Sequence, residues 1–121
     1  MGIKRQHRKA HSPILGRWRI IEMEQWSPED CDMEVPAFLE FRRDGSGQFQ
    51  FILVQGSMDY KIVERDGKPA VEWSWDGSDE MDPASDRGWA VLEPDGRLVG
   101  RIFIHQGDNS AFTAKSMKQE R

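Results

Sequence analysis

Met58-Asp59-Tyr60-Lys61-Ile62-Val63-Glu64-Arg65-Asp66-Gly67-Lys68-Pro69-Ala70-Val71-Glu72-Trp73-Ser74-Trp75 is the stretch on which the fold turns. Met58, Tyr60 and Ile62 recur at every second position, and so do Val71, Trp73 and Trp75. A period of two is that of a strand with one face buried. Asp66-Gly67 separates the runs and supplies the positive φ angles that a tight hairpin requires. The segment therefore predicts two antiparallel strands, 58–65 and 70–75.

The same grammar extends in both directions. Asp44-Gly45 and Asp95-Gly96 mark two further hairpins, and Gln55-Gly56-Ser57 and Gly107-Asp108-Asn109 read as two more reversals. Longer connections are left at 25–36 and 76–87. Eight strands result, at 14–24, 37–43, 48–54, 58–65, 70–75, 88–93, 97–105 and 111–115. Alternation turns Phe49, Phe51 and Leu53 inward, and likewise Leu98, Gly100, Ile102 and Ile104, with Arg17, Arg19, Lys61, Glu72 and Arg101 outward. Trp18 and Ile20 keep one parity while Ile21 and Met23 take the other, which predicts a bulge near Ile20. The one helical candidate is a single turn after Ser27, where a capping serine precedes Pro28 and the acids Glu29 and Asp30. Eight sequential antiparallel strands with one apolar face lose their exposed edges only by closing on themselves. The predicted fold is an all-β, eight-stranded antiparallel up-and-down barrel, wide enough to be filled by side chains or to hold one small ligand.

The chain has 121 residues, the length of one domain. Residues 1–12 are expected to be a disordered basic tail, 13–116 the barrel and 117–121 a C-terminal tail. Seventeen Lys and Arg stand against twenty-one Asp and Glu, but Lys4, Arg5, Arg8 and Lys9 lie in a tail without acids, so the remainder is markedly acidic. Four charges give only weak, salt-sensitive attraction to nucleic acid, which is not an expected partner. The longest apolar run, Phe51 to Val54, is four residues; a membrane helix needs about twenty. The basic start is followed by Pro13 and Gly16 rather than a secretory apolar core, and Cys31 has no partner for a disulfide. No membrane partner and a cytoplasmic location are the expectations.

Gly16-Arg17-Trp18 resembles the G-x-W signature of lipocalins and related calycin barrels, in which the tryptophan closes the barrel floor. Over most of its length the chain also resembles a group of small uncharacterised bacterial proteins of unknown activity. That resemblance runs through Gly16-Arg17-Trp18-Arg19-Ile20, Asp79-Glu80-Met81-Asp82-Pro83-Ala84-Ser85, Arg87-Gly88-Trp89-Ala90 and Gly100-Arg101-Ile102-Phe103-Ile104-His105-Gln106-Gly107-Asp108. The first resemblance implies a calycin-like fold; the second implies no activity.

In an up-and-down array successive connections alternate between the two ends. The odd-numbered ones, 25–36, 55–57, 76–87 and 106–110, share one end and carry ten acids: Glu29, Asp30, Asp32, Glu34, Asp76, Asp79, Glu80, Asp82, Asp86 and Asp108, against Arg87 alone. The other end has tight turns of mixed charge. Long loops on a rigid scaffold are where function usually sits. Trp26, Trp75 and Trp89 are assigned to the acidic end as well, and aromatic faces beside carboxylates suit a cation. The expectation is a non-catalytic binding module for a cationic small molecule or basic peptide. Trp26, Trp75 and Trp89 would be its walls, Asp79, Glu80, Asp82 and Asp108 its counter-charges, and His105 a hydrogen bonder at the rim.

Three alternatives stand beside it. An apolar ligand would sit inside the barrel, unless Trp18, Trp73, Phe49, Phe51 and Ile102 fill it. A divalent metal would find oxygens on Asp76, Asp79, Glu80, Asp82 and Asp86, but the spacing lacks the pattern of a calcium hand, and metal ligands are left unassigned. Acid-base catalysis would use paired carboxylates of 76–87 near His105. No phosphate loop, nucleophile elbow or zinc-protease motif is present, so no catalytic residue and no cofactor are assigned. A basic tail and an acidic rim on one chain also allow head-to-tail homo-oligomers.

Overall fold

A computed structural model describes residues 12–117; the expectations for the basic tail over 1–11 and for 118–121 lie outside the described residues. Eight strands run in chain order: β1 Gly16–Met23, β2 Phe38–Phe41, β3 Ser46–Phe51, β4 Val54–Arg65, β5 Lys68–Asp79, β6 Asp82–Leu92, β7 Leu98–Phe103 and β8 Asn109–Ser116. Each pairs antiparallel with its neighbour and β8 closes on β1, giving a closed up-and-down barrel. The predicted bulge is present, as a register shift against β8 between Ile20 and Glu22. The predicted single turn is helix α1, Pro28–Cys31, capped by Ser27, whose hydroxyl accepts from the Asp30 amide at 3.2 Å.

Rings fill the interior. Trp18, Phe41, Phe49, Phe51, Trp73, Trp75 and Phe112 are all at most 4 % exposed, and Leu39, Leu98 and Ile102 pack among them. Trp18 lies near the end where β1 begins, and its indole N–H donates to the Ile14 carbonyl at 2.9 Å. Two glycines make room for this crowd. A Cβ on Gly56 would stand 2.5 Å from Phe49 and 2.8 Å from Trp75, and one on Gly88 would stand 2.4 Å from the Trp73 ring. Such close approach is why glycine sits inside these strands.

Four sequence expectations are corrected here. Gln55-Gly56-Ser57 is not a turn: β4 runs straight through it, because Gly56 serves packing rather than reversal. The reversal falls at Ile52-Leu53, closed by the pair Phe51↔Val54, so Leu53 belongs to a turn and not to the inward face. The span 76–87 is not a loop. β5 and β6 stay paired out to Asp79↔Asp82 and reverse over Glu80 and Met81. Ile62, assigned inward, is 39 % exposed near the far end of β4.

Candidate functional site

The connections 24–37, 52–53, 80–81 and 104–108 share one end of the barrel, here called the mouth. They are tied to one another and to the strands by hydrogen bonds. The Ile52 amide donates to the Cys31 carbonyl at the end of α1 at 2.8 Å, and the Glu80 amide to the Leu53 carbonyl at 3.1 Å. His105 N–H donates to the Ser85 carbonyl at 2.9 Å, and Gln25 N–H to the Ser110 hydroxyl at 3.2 Å. The mouth is a braced rim rather than a set of independent loops.

Backbone strain collects at this end. Ile52, Glu80, Met81 and Gln106 have φ values of 55°, 56°, 80° and 61°. Left-handed conformations of this kind cost non-glycine residues about 1–3 kcal/mol each and persist where surroundings impose them. At the opposite end the positive-φ positions fall to Gly16, Gly45, Asp66, Gly67 and Gly96, residue types that tolerate them.

The tryptophans do not converge. Trp26 alone stays at the mouth, half-buried, with its ring 5.6 Å from that of Phe51. Trp75 is a core residue at 3 % exposure, and its indole N–H donates to the Phe103 carbonyl at 3.0 Å. Its inward parity on β5 leaves it no face toward solvent. Trp89 has outward parity, pairs across strands with Glu72 and Arg101, and lies under the Arg65 guanidinium at 4.4 Å. That arginine belongs to the far end of β4, so Trp89 stands on the outer wall, away from the mouth. As walls of one site, Trp75 and Trp89 are therefore corrected.

The carboxylates fare differently. Asp32 is not part of a free acidic rim: both its oxygens face the Arg19 guanidinium, at 2.9 and 2.8 Å, and it accepts from the Ala37 amide at 2.9 Å. These hydrogen bonds, the Arg19 pair foremost, lower its pKa from 3.8 to about 2. Asp86 has Arg87 at 3.5 Å. Asp76, Asp79, Glu80, Asp82 and Asp108 are exposed and have no cation partner among the described residues. Asp79 and Asp82 sit directly opposite each other as the closing pair of the β5–β6 hairpin. Like charges in such a pair destabilise the strands that carry them.

His105 lies in the connection after β7, exposed, and with Gln106 forms one side of an open groove of about 500 Å³. Asp76, Gly77, Pro83, Ala84 and Ser85 form the other. Sequence reasoning missed Ser85 and Pro83 as groove residues, because it read them as loop. Asp76, Ser85 and His105 are the residue types of a hydrolase triad. Their side chains share no hydrogen bond with one another among the described residues. Burial pushes the Cys31 thiol pKa up, and Asp32 and Asp30 add to it, which keeps it a poor nucleophile.

Among the described residues no three His, Cys, Asp or Glu side chains come together as a metal site. None of the described helices is long and apolar enough to cross a membrane. Comparison with protein-family models, curated proteins and solved structures finds no match.

Proposed function

We propose that the protein is a non-catalytic binding module that holds a cationic ligand or a basic partner segment at the acidic β5–β6 hairpin of its mouth. The observation that carries this reading is the Asp79↔Asp82 pair, flanked by Glu80, without a cation among the described residues. A repulsive pair on a braced, strained hairpin is relieved when a positive group binds between the carboxylates. The rings packed through the interior favour this rim over an apolar ligand carried inside the barrel. The likeness to lipocalins is read as one of architecture, the likeness to small bacterial proteins adds no ligand, and a lone buried Cys31 suits a reducing cytoplasm.

The test is calorimetric titration with spermine, a flexible tetracation. The native chain is expected to bind at low ionic strength and to weaken as salt is added, since the site is exposed. D79N/E80Q/D82N should lower affinity about tenfold, a few tenths to one kcal/mol for each exposed charge. E64Q, at the far end of β4, should leave it unchanged. Equal affinity for the two variants, or no binding at low salt, would overturn the reading.

A further inference from the structure

One buried aromatic ring stands on the outer wall of the barrel. Phe38 pairs across strands with Arg19 and so shares the outward parity of Arg17 and Arg19. It is nonetheless only 7 % exposed, because the Arg17 guanidinium lies over its ring at 3.8 Å. An open groove of about 410 Å³ runs beside it, with Arg17, Arg19, Val35, Pro36, Phe38 and Met117 in its lining. Met117 is half exposed and is tied to this wall by its N–H, which donates to the Arg17 carbonyl at 3.0 Å.

The charges of the wall leave cations over. Glu40 is shared between Arg17 at 2.7 Å and Arg42 at 3.6 Å, and Asp32 is held by Arg19. Lys115, the cross-strand neighbour of Arg19, is exposed and has no acid partner among the described residues. An apolar groove with surplus cations at its rim is complementary to a segment that presents an apolar side chain among carboxylates.

The chain carries such a segment at its mouth. Met81, in the two-residue turn that closes β5 on β6, is 91 % exposed, the most exposed large apolar side chain among the described residues. Asp79, Glu80 and Asp82 flank it without a cation partner. A methionine's flexible, polarizable thioether adapts to irregular apolar surfaces. In the closed order of eight strands, β5 and β6 lie across the barrel from β1 and β2, and the tip is held by strand pairing and by the bond from Glu80 to Leu53. It cannot reach its own groove, so the two surfaces meet only between copies.

We propose that the β5–β6 tip of one copy seats Met81 in the outer-wall groove of a second copy, with its carboxylates against Arg17 and Lys115. The proposal rests on the reading above, that this hairpin takes a cationic partner, and names that partner. The contact is heterologous: each copy gives its tip to one neighbour and its groove to another, so copies add head to tail. A single hairpin tip is a small interface, and the association is weak and salt-sensitive.

The experiment is sedimentation velocity of the full chain at low and high salt, at concentrations up to about 1 mM, where contacts of this size become populated. The mean mass of the native chain is expected to climb with concentration at low salt and to return to that of one chain at high salt. Met81→Ser removes the apolar apex and Met117→Glu puts an acid in the groove; both positions are exposed, so the fold is kept. Each variant alone should associate at least about tenfold more weakly than the native chain. Mixed together they should form a 1:1 pair that grows no further, because one keeps its groove and the other its tip. A native chain that stays monomeric at low salt yet binds spermine would overturn the proposal and leave the cation site standing. A monomer that binds no spermine would overturn both. Association that survives Met117→Glu would place the second copy elsewhere, and variants that fail to pair when mixed would mean that one surface meets its own copy; either result overturns the proposal.

Discussion

Asp32 shows how one carboxylate changes meaning once its neighbours are known. By position it belongs with the acids of the mouth; by contact it holds the 24–37 connection to β1 through Arg19. Its folded-state pKa of about 2 lies below the ordinary 3.8. A depressed carboxylate pKa contributes stability that is fully present above the unfolded value and is lost as pH falls through the folded one. The window therefore runs from about pH 4 down to about pH 2. The native chain should exceed D32N in unfolding free energy by about 1 kcal/mol at neutral pH, a figure discounted for a side chain one-third open to solvent. Urea unfolding at a series of pH values should show that gap closing across the window. A gap that stays constant down to pH 2 would mean the pair is not what sets it. Trp73 and Trp75 teach the same lesson without charge. Both have inward parity and both are buried, yet Trp75 donates to Phe103 whereas the Trp73 indole N–H has no partner in the core.

Among the elements, the hairpins divide by the kind of turn that closes them. Asp66-Gly67 follows the rule that reversals need residues at ease with positive φ, so the far end of the barrel was legible in the sequence. Ile52-Leu53 and Glu80-Met81 break that rule. Ile52 is held left-handed by the bond from its amide to Cys31, and Glu80 by the bond from its amide to Leu53, both contacts distant in sequence. No local pattern announces them, while Gly56 advertised a turn that packing had claimed. Strand number, order, the bulge and α1 could be read because periodicity and capping are local. The shape of the mouth could not, because long-range hydrogen bonds decide it; hence the local pattern over 76–87 reads as a loop, and Trp75 and Trp89 read as rim residues. If strain rather than fit is the state of the Glu80-Met81 turn, replacing it should help the fold. Met81 is 91 % exposed, so no packing is lost with it. E80N/M81G, the sequence that such a turn prefers, should stabilise the chain by about 1 kcal/mol in thermal unfolding. The same change removes Glu80 and should weaken spermine binding. A variant no more stable than the native chain would show that the hairpin carries no strain worth relieving.

On the scale of the whole molecule the barrel is polarised: one end has short turns held by their own residues, and the other is held by bonds between connections. Asp44 accepts from the Ser46 amide and hydroxyl within its own turn, and Asp95 from Arg97 in the same way. The mouth instead depends on α1 reaching Ile52, on Leu53 reaching Glu80 and on His105 reaching Ser85. The two ends should therefore differ in their tolerance of a chain break. β1 and β8 are neighbours, with Met117 N–H donating to the Arg17 carbonyl at 3.0 Å, so joining residue 121 to residue 1 leaves the closing ladder intact. Opening the joined chain between Asp95 and Gly96 severs a self-contained turn. Opening it between Ile52 and Leu53 frees both residues that brace the mouth, and with them two hydrogen bonds and a half-buried isoleucine. The first permutant should unfold cooperatively within about 1 kcal/mol of the native chain, and the second should be weaker than the first by about 2–3 kcal/mol. Spermine binding should survive in the first and fall in the second, because the hairpin that carries Asp79 and Asp82 loses its anchor at Leu53. Two permutants of equal stability and equal affinity would mean that the β5–β6 hairpin holds its position through strand pairing alone.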